Sequence, residues 1–451
     1  MNTLTLEVGY ALDTFYLLMS AVLVMWMAAG FAMLESGLVR TKNTVEILNK
    51  NILLYSVACI VYLIVGYNLM YPGDNTVNAV IPGISFFLGD DYPVAAITAG
   101  GENAPVYSGY ADFFFQAVFA AATMSIVSGA VAERMRLWPF MMFAVVMVGF
   151  LYPVEGYWKW GGGFLDQLGY LDYAGSGVVH LAGAAAAFAA VLLVGPRTGR
   201  YGPKGQVNPI PGANLPLATL GMLILWMGWF GFNGGSELKI SDVSSANHVA
   251  RVFVNTNAAA AAGMVTATLF VRFLFKKTDL TMSINGALAG LVAITAEPLM
   301  PSAGLATLIG GVAGVLVVAS VLALDKVKMD DPVGAISVHG TAGIWGILAV
   351  VMSHPDATLH GQIVGIAVIV GWMCGLSYIT LKIIRMLTDL RVSPEEELEG
   401  MDIHECGMSA YPEFASSTEL RRIGKIAAAG AEKAGSQAVY MNASKATEPS
   451  S

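Results

Sequence analysis

Eleven apolar runs, most of them long enough to cross a bilayer as a helix, leave this chain few folds to adopt. They lie at Thr14–Leu34, Ile47–Tyr71, Phe113–Ala132, Trp138–Tyr157, Gly175–Val194, Ala213–Phe232, Val249–Phe275, Ile284–Met300, Leu305–Leu324, Val333–Met352 and Gly361–Leu381. Backbone polar groups in lipid must be satisfied within the chain, so runs of this kind predict membrane-spanning helices. Composition agrees: 56% of the residues are hydrophobic, 12% are charged and the mean hydropathy is +0.63. Soluble domains carry roughly twice that charge fraction. The expected fold class is an all-α membrane protein with eleven transmembrane helices.

The first run has no Lys or Arg before it and is long for a signal-peptide core, so it reads as a retained span. An odd number of spans puts the termini on opposite sides. With the N-terminus outside, only Lys159, Lys239 and Arg251 of the 24 Lys and Arg residues fall on the outer face. The positive-inside rule therefore predicts N-out, C-in. Residues 1–387 form the transmembrane domain on this reading. Residues 388–451 form a cytoplasmic tail that opens with the acidic run SPEEELEG, and its last thirty or so residues have a disorder-prone composition.

One pattern occurs twice, DYAGSGVVH at Asp172–His180 and DPVGAISVH at Asp331–His339, each followed by an apolar, Gly-rich stretch. A continuous helix would place each His about 12 Å deeper than its Asp. Under the topology above the two copies are antiparallel, which makes spans 1–5 and 6–10 an inverted repeat. Such transporters hold their sites at the repeat interface near the midplane, where His180 and His339 would meet. Imidazole donates and accepts hydrogen bonds, so the pair could line a narrow pore. Asp331 precedes Pro332, the order expected of a helix cap followed by Pro at the first helical position.

Aromatic residues gather near the outer ends of the spans. Rings bind cations, more strongly when desolvated, and Trp160, Phe119, Phe232 and the Ser236 hydroxyl together suit a small external cation site. Trp229 lies in the same WFGFNGGS stretch as Phe232 and Ser236. Asp172 either contacts that cation or caps the fifth helix. Capping is preferred, because a carboxylate in contact would hold the cation too firmly for fast release.

Other chemistries find little support. No nucleotide-binding loop, H-E-x-x-H motif or basic cluster occurs, so the reading is transport or binding, not an enzyme, and not a nucleic-acid partner. Cys59, Cys374 and Cys406 are too scattered for a disulfide framework or a metal cluster, and no cofactor is expected. The histidine pair alone would also suit a bis-histidine haem carrier, which a Soret band would reveal.

The segments AGFAMLESGLVRTKN, FQAVFAAATMSIVSGAVAERMR, WGGG followed by DYAGSGVVH, WFGFNGGS and DDPVGAISVHG resemble, in order, the motifs of the ammonium transporter (Amt/Mep/Rh) family. The resemblance covers about residues 10–413 and favours a bacterial-type Amt over an Rh protein. It implies a homotrimer in the inner (plasma) membrane with one pore per subunit. Trp160, Phe119 and Ser236 would form the external ammonium site, with Asp172 as its structural carboxylate. Phe119 and Phe232 would form the gate, Trp229 would lie beside it, and His180 and His339 would be the twin histidines of the pore. Many members carry an acidic residue five positions before the second His, where this chain has Gly334. The tail resembles the regulatory C-terminus that meets PII signal proteins in many bacteria. The implied substrate is ammonium or ammonia, with methylammonium as an analogue. The alternatives are an ammonium sensor of low flux and an Rh-like channel for neutral gas.

Overall fold

The structure, a computed structural model, describes residues 3–101 and 103–414. The tail segment predicted to be disordered lies almost wholly outside them. Among the described residues the protein is helical, with only two isolated backbone bridges, Met135–Arg391 and Tyr201–Val207, in place of a sheet.

Among the described residues nine helices are long and apolar enough to cross a membrane, and two shorter ones, at the eighth and tenth predicted runs, pack among them. In chain order they are α1 (Thr3–Leu38), α2 (Thr41–Met70), α3 (Gly109–Ala130), α4 (Leu137–Gln167), α5 (Ser176–Val194), α6 (Leu215–Gly235), α7 (Val243–Phe275), α8 (Leu280–Thr295), α9 (Ala303–Lys326), α10 (Ile336–Met352) and α11 (Leu359–Leu387). Many begin at a side-chain cap that satisfies the free N–H groups of the first turn. Ser108 accepts from Tyr110 and Ala111, Asp279 from Thr281 and Met282, and Thr358 from Gly361.

Several boundaries differ from the apolar runs for identifiable reasons. The helix α1 extends beyond Thr14 through Asp13, whose buried carboxylate accepts from the backbone N–H groups of Ile240 and Ser241. That partnered acid interrupts the hydropathy but not the helix. The helix α8 starts at its Asp279 cap and stops before the turn in which Glu297 accepts from Leu299 and Met300, short of the predicted Met300.

The helices approach closely through small residues, as lipid-embedded helices do. A side chain at Gly221 of α6 would collide with the α1 backbone at Leu34, and one at Gly263 of α7 with the α8 backbone at Gly286. At the end shared by Arg40, Glu133, Arg197 and Asp330, charges form a buried network. Glu133 pairs with Arg40 at 2.7 Å and with Arg197 at 3.3 Å, while Arg197 grips Asp330 at 2.8 Å. Residues 391–406 fasten to the same end: Arg136 binds Glu396, Arg391 donates to the Val194 carbonyl, Glu397 accepts from the Thr198 backbone N–H, and Asp402 accepts from the Glu46 backbone N–H.

Candidate functional site

The two Asp-to-His repeats fold alike. Asp172 lies in a turn ahead of α5, and its buried carboxylate accepts from the N–H groups of Gly175, Gly177 and Val178 at 2.8–3.2 Å. Asp331 does the same for Gly334 and Ile336 at 3.1 and 2.7 Å. Gly175 and Gly334 have φ of +108° and +82°, a left-handed turn that a side chain resists. Each His then sits in a wide, π-type turn, Ser176–Leu181 or Ile336–Thr341. Such turns recur at functional sites in helices.

This geometry corrects two expectations. The stretch from Asp to His is a turn plus a widened helical segment, so a straight helical rise does not describe it. Pro332 occupies the turn before α10 rather than the first helical position, because Gly334 reverses the backbone after it.

The predicted site residues come together as one stack of rings. Trp160, half-buried at one end, meets Phe119 edge-on at 6.1 Å. Phe119 stacks on Phe232 with centroids 4.0 Å apart and planes at 22°. Phe232 stacks in turn on His180 at 5.3 Å, and Trp229 flanks the same imidazole at 5.0 Å. His180 and His339 face each other through their Nδ1 atoms, 3.2 Å apart. One nitrogen must donate and the other accept, so the pair holds a single shared proton between them. Phe119, Phe232, Trp229 and both histidines are buried, whereas Trp160 and Ser236 remain half-buried at the mouth. The Ser236 hydroxyl donates to the Phe232 carbonyl at 2.8 Å, leaving its oxygen free to accept.

Supporting residues fix this stack. The Trp160 indole N–H donates to the Asp172 carbonyl at 3.1 Å, tying the mouth to the α5 turn. The Trp229 indole donates to Thr295 at 2.8 Å, and Tyr170 donates to the Asp172 carboxylate at 3.3 Å. Burial pushes the Asp172 carboxyl up to about 6 although those backbone N–H groups pull it down. Thr295, Tyr170 and Phe31, the last 6.5 Å from His339, were not legible in the sequence as site residues. Phe31 does fall in a motif segment; Thr295 and Tyr170 carry no local signal.

Beyond His339 the path leads to a small cavity and then to a polar vestibule of about 600 Å³ bordered by Arg197, Arg200, Asp325 and Asp331. A half-buried mouth, a buried aromatic constriction, a hydrogen-bonding pair and a polar vestibule thus follow one another. The arrangement can desolvate a small solute in the constriction and offer it hydrogen bonds again beyond it.

A sequence model described as the Ammonium Transporter Family matches residues 15–411. The ammonium transporter Amt2 of Archaeoglobus fulgidus is 38% identical over 439 residues, covering 90% of each chain. Among solved structures, one titled Sensor Amt Protein is similar with a TM-score of 0.81 and 35% identity, covering 89% of this chain and 99% of that one. Candida albicans Mep2 is similar with a TM-score of 0.77 and 27% identity, covering 92% and 93%.

Proposed function

The chain belongs to the ammonium transporter family, and from that premise we infer how this integral membrane protein moves its substrate. Ammonium is held at the outer mouth by the faces of Trp160 and Phe119 and by a hydrogen bond to the Ser236 oxygen. A bare cation moved into the apolar stack would lose its hydration without compensation. Deprotonation before Phe119 and Phe232 removes that barrier, and ammonia passes the gate to the paired histidines. The proton stays outside or follows separately along the imidazoles. Potassium has no proton to shed and is excluded. Methylammonium would enter by the same route.

The observation that carries this reading is the continuous ring stack from Trp160 to His339. Its packing leaves no space for a hydrated ion at Phe119 and Phe232.

The assembly belongs to the same proposal: N-out, C-in in the plasma (inner) membrane, an inverted repeat of α1–α5 and α6–α10, and a homotrimer. An open apolar groove of about 810 Å³ between α7 and α9, lined by Ala258, Ala262, Gly311 and Val315, supports a seat for a second copy. The transmembrane domain ends near residue 387 and the tail regulates it. The hydrogen-bonded segment 391–406 supports that role, with a PII signal protein as its partner.

The similarity to the Sensor Amt Protein favours one second reading, an ammonium sensor of low flux. Reconstituted protein given an ammonium pulse at symmetric pH separates the two. Saturable movement, read as current or as interior pH, supports transport. Ammonium binding with neither signal supports the sensor.

A further inference from the structure

A buried acid lies beside the path, just below the histidine pair. Glu35 of α1 is 1% exposed and lines the small cavity under the histidine pair together with His339, Asn285 and Phe31. Its Oε2 is fixed, accepting from Ser128 at 2.8 Å and from Asn51 at 3.1 Å. Its Oε1 is buried and has no hydrogen-bond partner. Gly129 leaves the approach open: a Cβ there would lie 2.5 Å from the Val333 side chain and 3.7 Å from the Glu35 carboxyl carbon. The cavity measures about 20 Å³, room for one molecule the size of water, and ammonia is of that size.

The charged neighbours do not occupy the free oxygen. Lys50 of α2 acts on Glu35 through space, but it pairs with Glu46 at 3.5 Å and lies over the Phe140 ring. Glu46 of α2 and His339 of α10 are the other titratable groups facing this site. The cavity shares Asn285 and Val333 with the inner vestibule, which places the carboxyl beside that space.

We propose that Glu35 is the proton-exchange carboxyl at the inner end of the pore, an inference that rests on the ammonia-conducting reading above. Ammonia leaving His339 forms an N–H bond as the Glu35 O–H bond breaks, and departs through the vestibule as ammonium. Hydronium from vestibule water then returns a proton to the carboxylate. Protonation at this point holds the nitrogen on the vestibule side, since ammonium must give up a proton again before it can re-enter the apolar stack.

The test uses the full-length protein in liposomes, with initial uptake rate measured against external ammonium. Glu35→Gln is expected to lower the maximal rate at least about a hundredfold, the lower reach of proton-transfer assistance. The external half-saturation concentration should not move, and Glu35→Asp, which keeps the acid, should stay within about threefold of wild type. An undiminished Glu35→Gln rate overturns the proposal, as do equal losses in Gln and Asp, which would mark a packing role. If Glu35→Gln is not monodisperse, Glu35→Ala with acetate buffer inside replaces it: rescue by acetate supports the proposal and no rescue overturns it. A wild-type protein that moves no ammonium overturns both this inference and the transport reading beneath it. Wild-type transport beside an unimpaired Glu35→Gln overturns this one alone.

Discussion

The two halves of the pore use one backbone device and surround it differently. In both, an Asp side chain ties down a left-handed glycine turn and a wide helical turn presents a His. Around Asp172 the neighbours are aromatic and neutral: Trp160, Tyr170 and, through the stack, Phe119 and Phe232. Around Asp331 they are charged and polar: Asp330 with Arg134 and Arg197, and Asn285 packed against Gly334. In the proposed mechanism a repeated backbone serves two tasks, recruitment of a cation at one mouth and release into water at the other. Repetition fixes where the imidazoles meet, and what lies beside each copy decides its task.

The comparison can be broken most severely at the caps. Asp172→Ala frees three buried N–H groups and Asp331→Ala frees two, at roughly 1–3 kcal/mol for each unsatisfied group. The first variant should therefore lose more stability, about 4 kcal/mol against about 2 kcal/mol, read as thermal midpoints in detergent. Equal losses would mean the two turns are not matched devices.

Asp330→Asn strikes only the inner half. It leaves the buried Arg197 without its main partner and should cost about 3 kcal/mol. The pH response sharpens the contrast. Burial opposes charge on Asp330, yet the Arg197 guanidinium holds its carboxyl down at about 2. Its stabilising contribution is complete above about pH 4 and is lost as the pH falls toward 2. Asp172, raised by burial to about 6, runs the other way: the folded state keeps its proton longer, so its contribution is greatest below about pH 4 and declines as the pH rises through 6. Hydrogen exchange of the α5 turn and of the Arg197 backbone N–H, which donates to Asp330, should show opposite trends at pH 3 and pH 6.

Smaller effects are expected at the outer mouth. Trp160→Ala should raise the external half-saturation concentration about tenfold, the yield of a desolvated cation–π contact. Ser236→Ala, which removes one hydrogen-bond acceptor, should raise it about threefold. Neither should change thermal stability by as much as the cap variants, and a tenfold effect from an inner-vestibule variant would erase the distinction between the mouths.

Much of this was legible in the chain. The apolar runs located the helices because lipid leaves the backbone no other solution, and the twofold Asp–His pattern marked the residues that face each other at 3.2 Å. Helix ends were less legible where a polar residue is partnered across the fold. Asp13 is such a case, answered by Ile240 and Ser241 more than 200 positions away. The role of Gly334 was also hidden. Its positive φ and the Asn285 side chain against it would crowd a side chain at this position. Glu35 falls in the motif segment AGFAMLESGLVRTKN, but nothing in that segment marks it as facing the proposed path. Thr295 and Tyr170 gain their places through contacts with Trp229 and Asp172 rather than through any motif.

The most direct measurement is the ammonium-evoked flux and the potassium current of wild-type protein and of the double variant His180→Ala, His339→Ala, reconstituted at matched density. The account predicts saturable ammonium movement with potassium excluded in wild type, and altered conduction or lost exclusion in the variant. Unchanged flux together with unchanged potassium exclusion would contradict the pore role of the histidine pair.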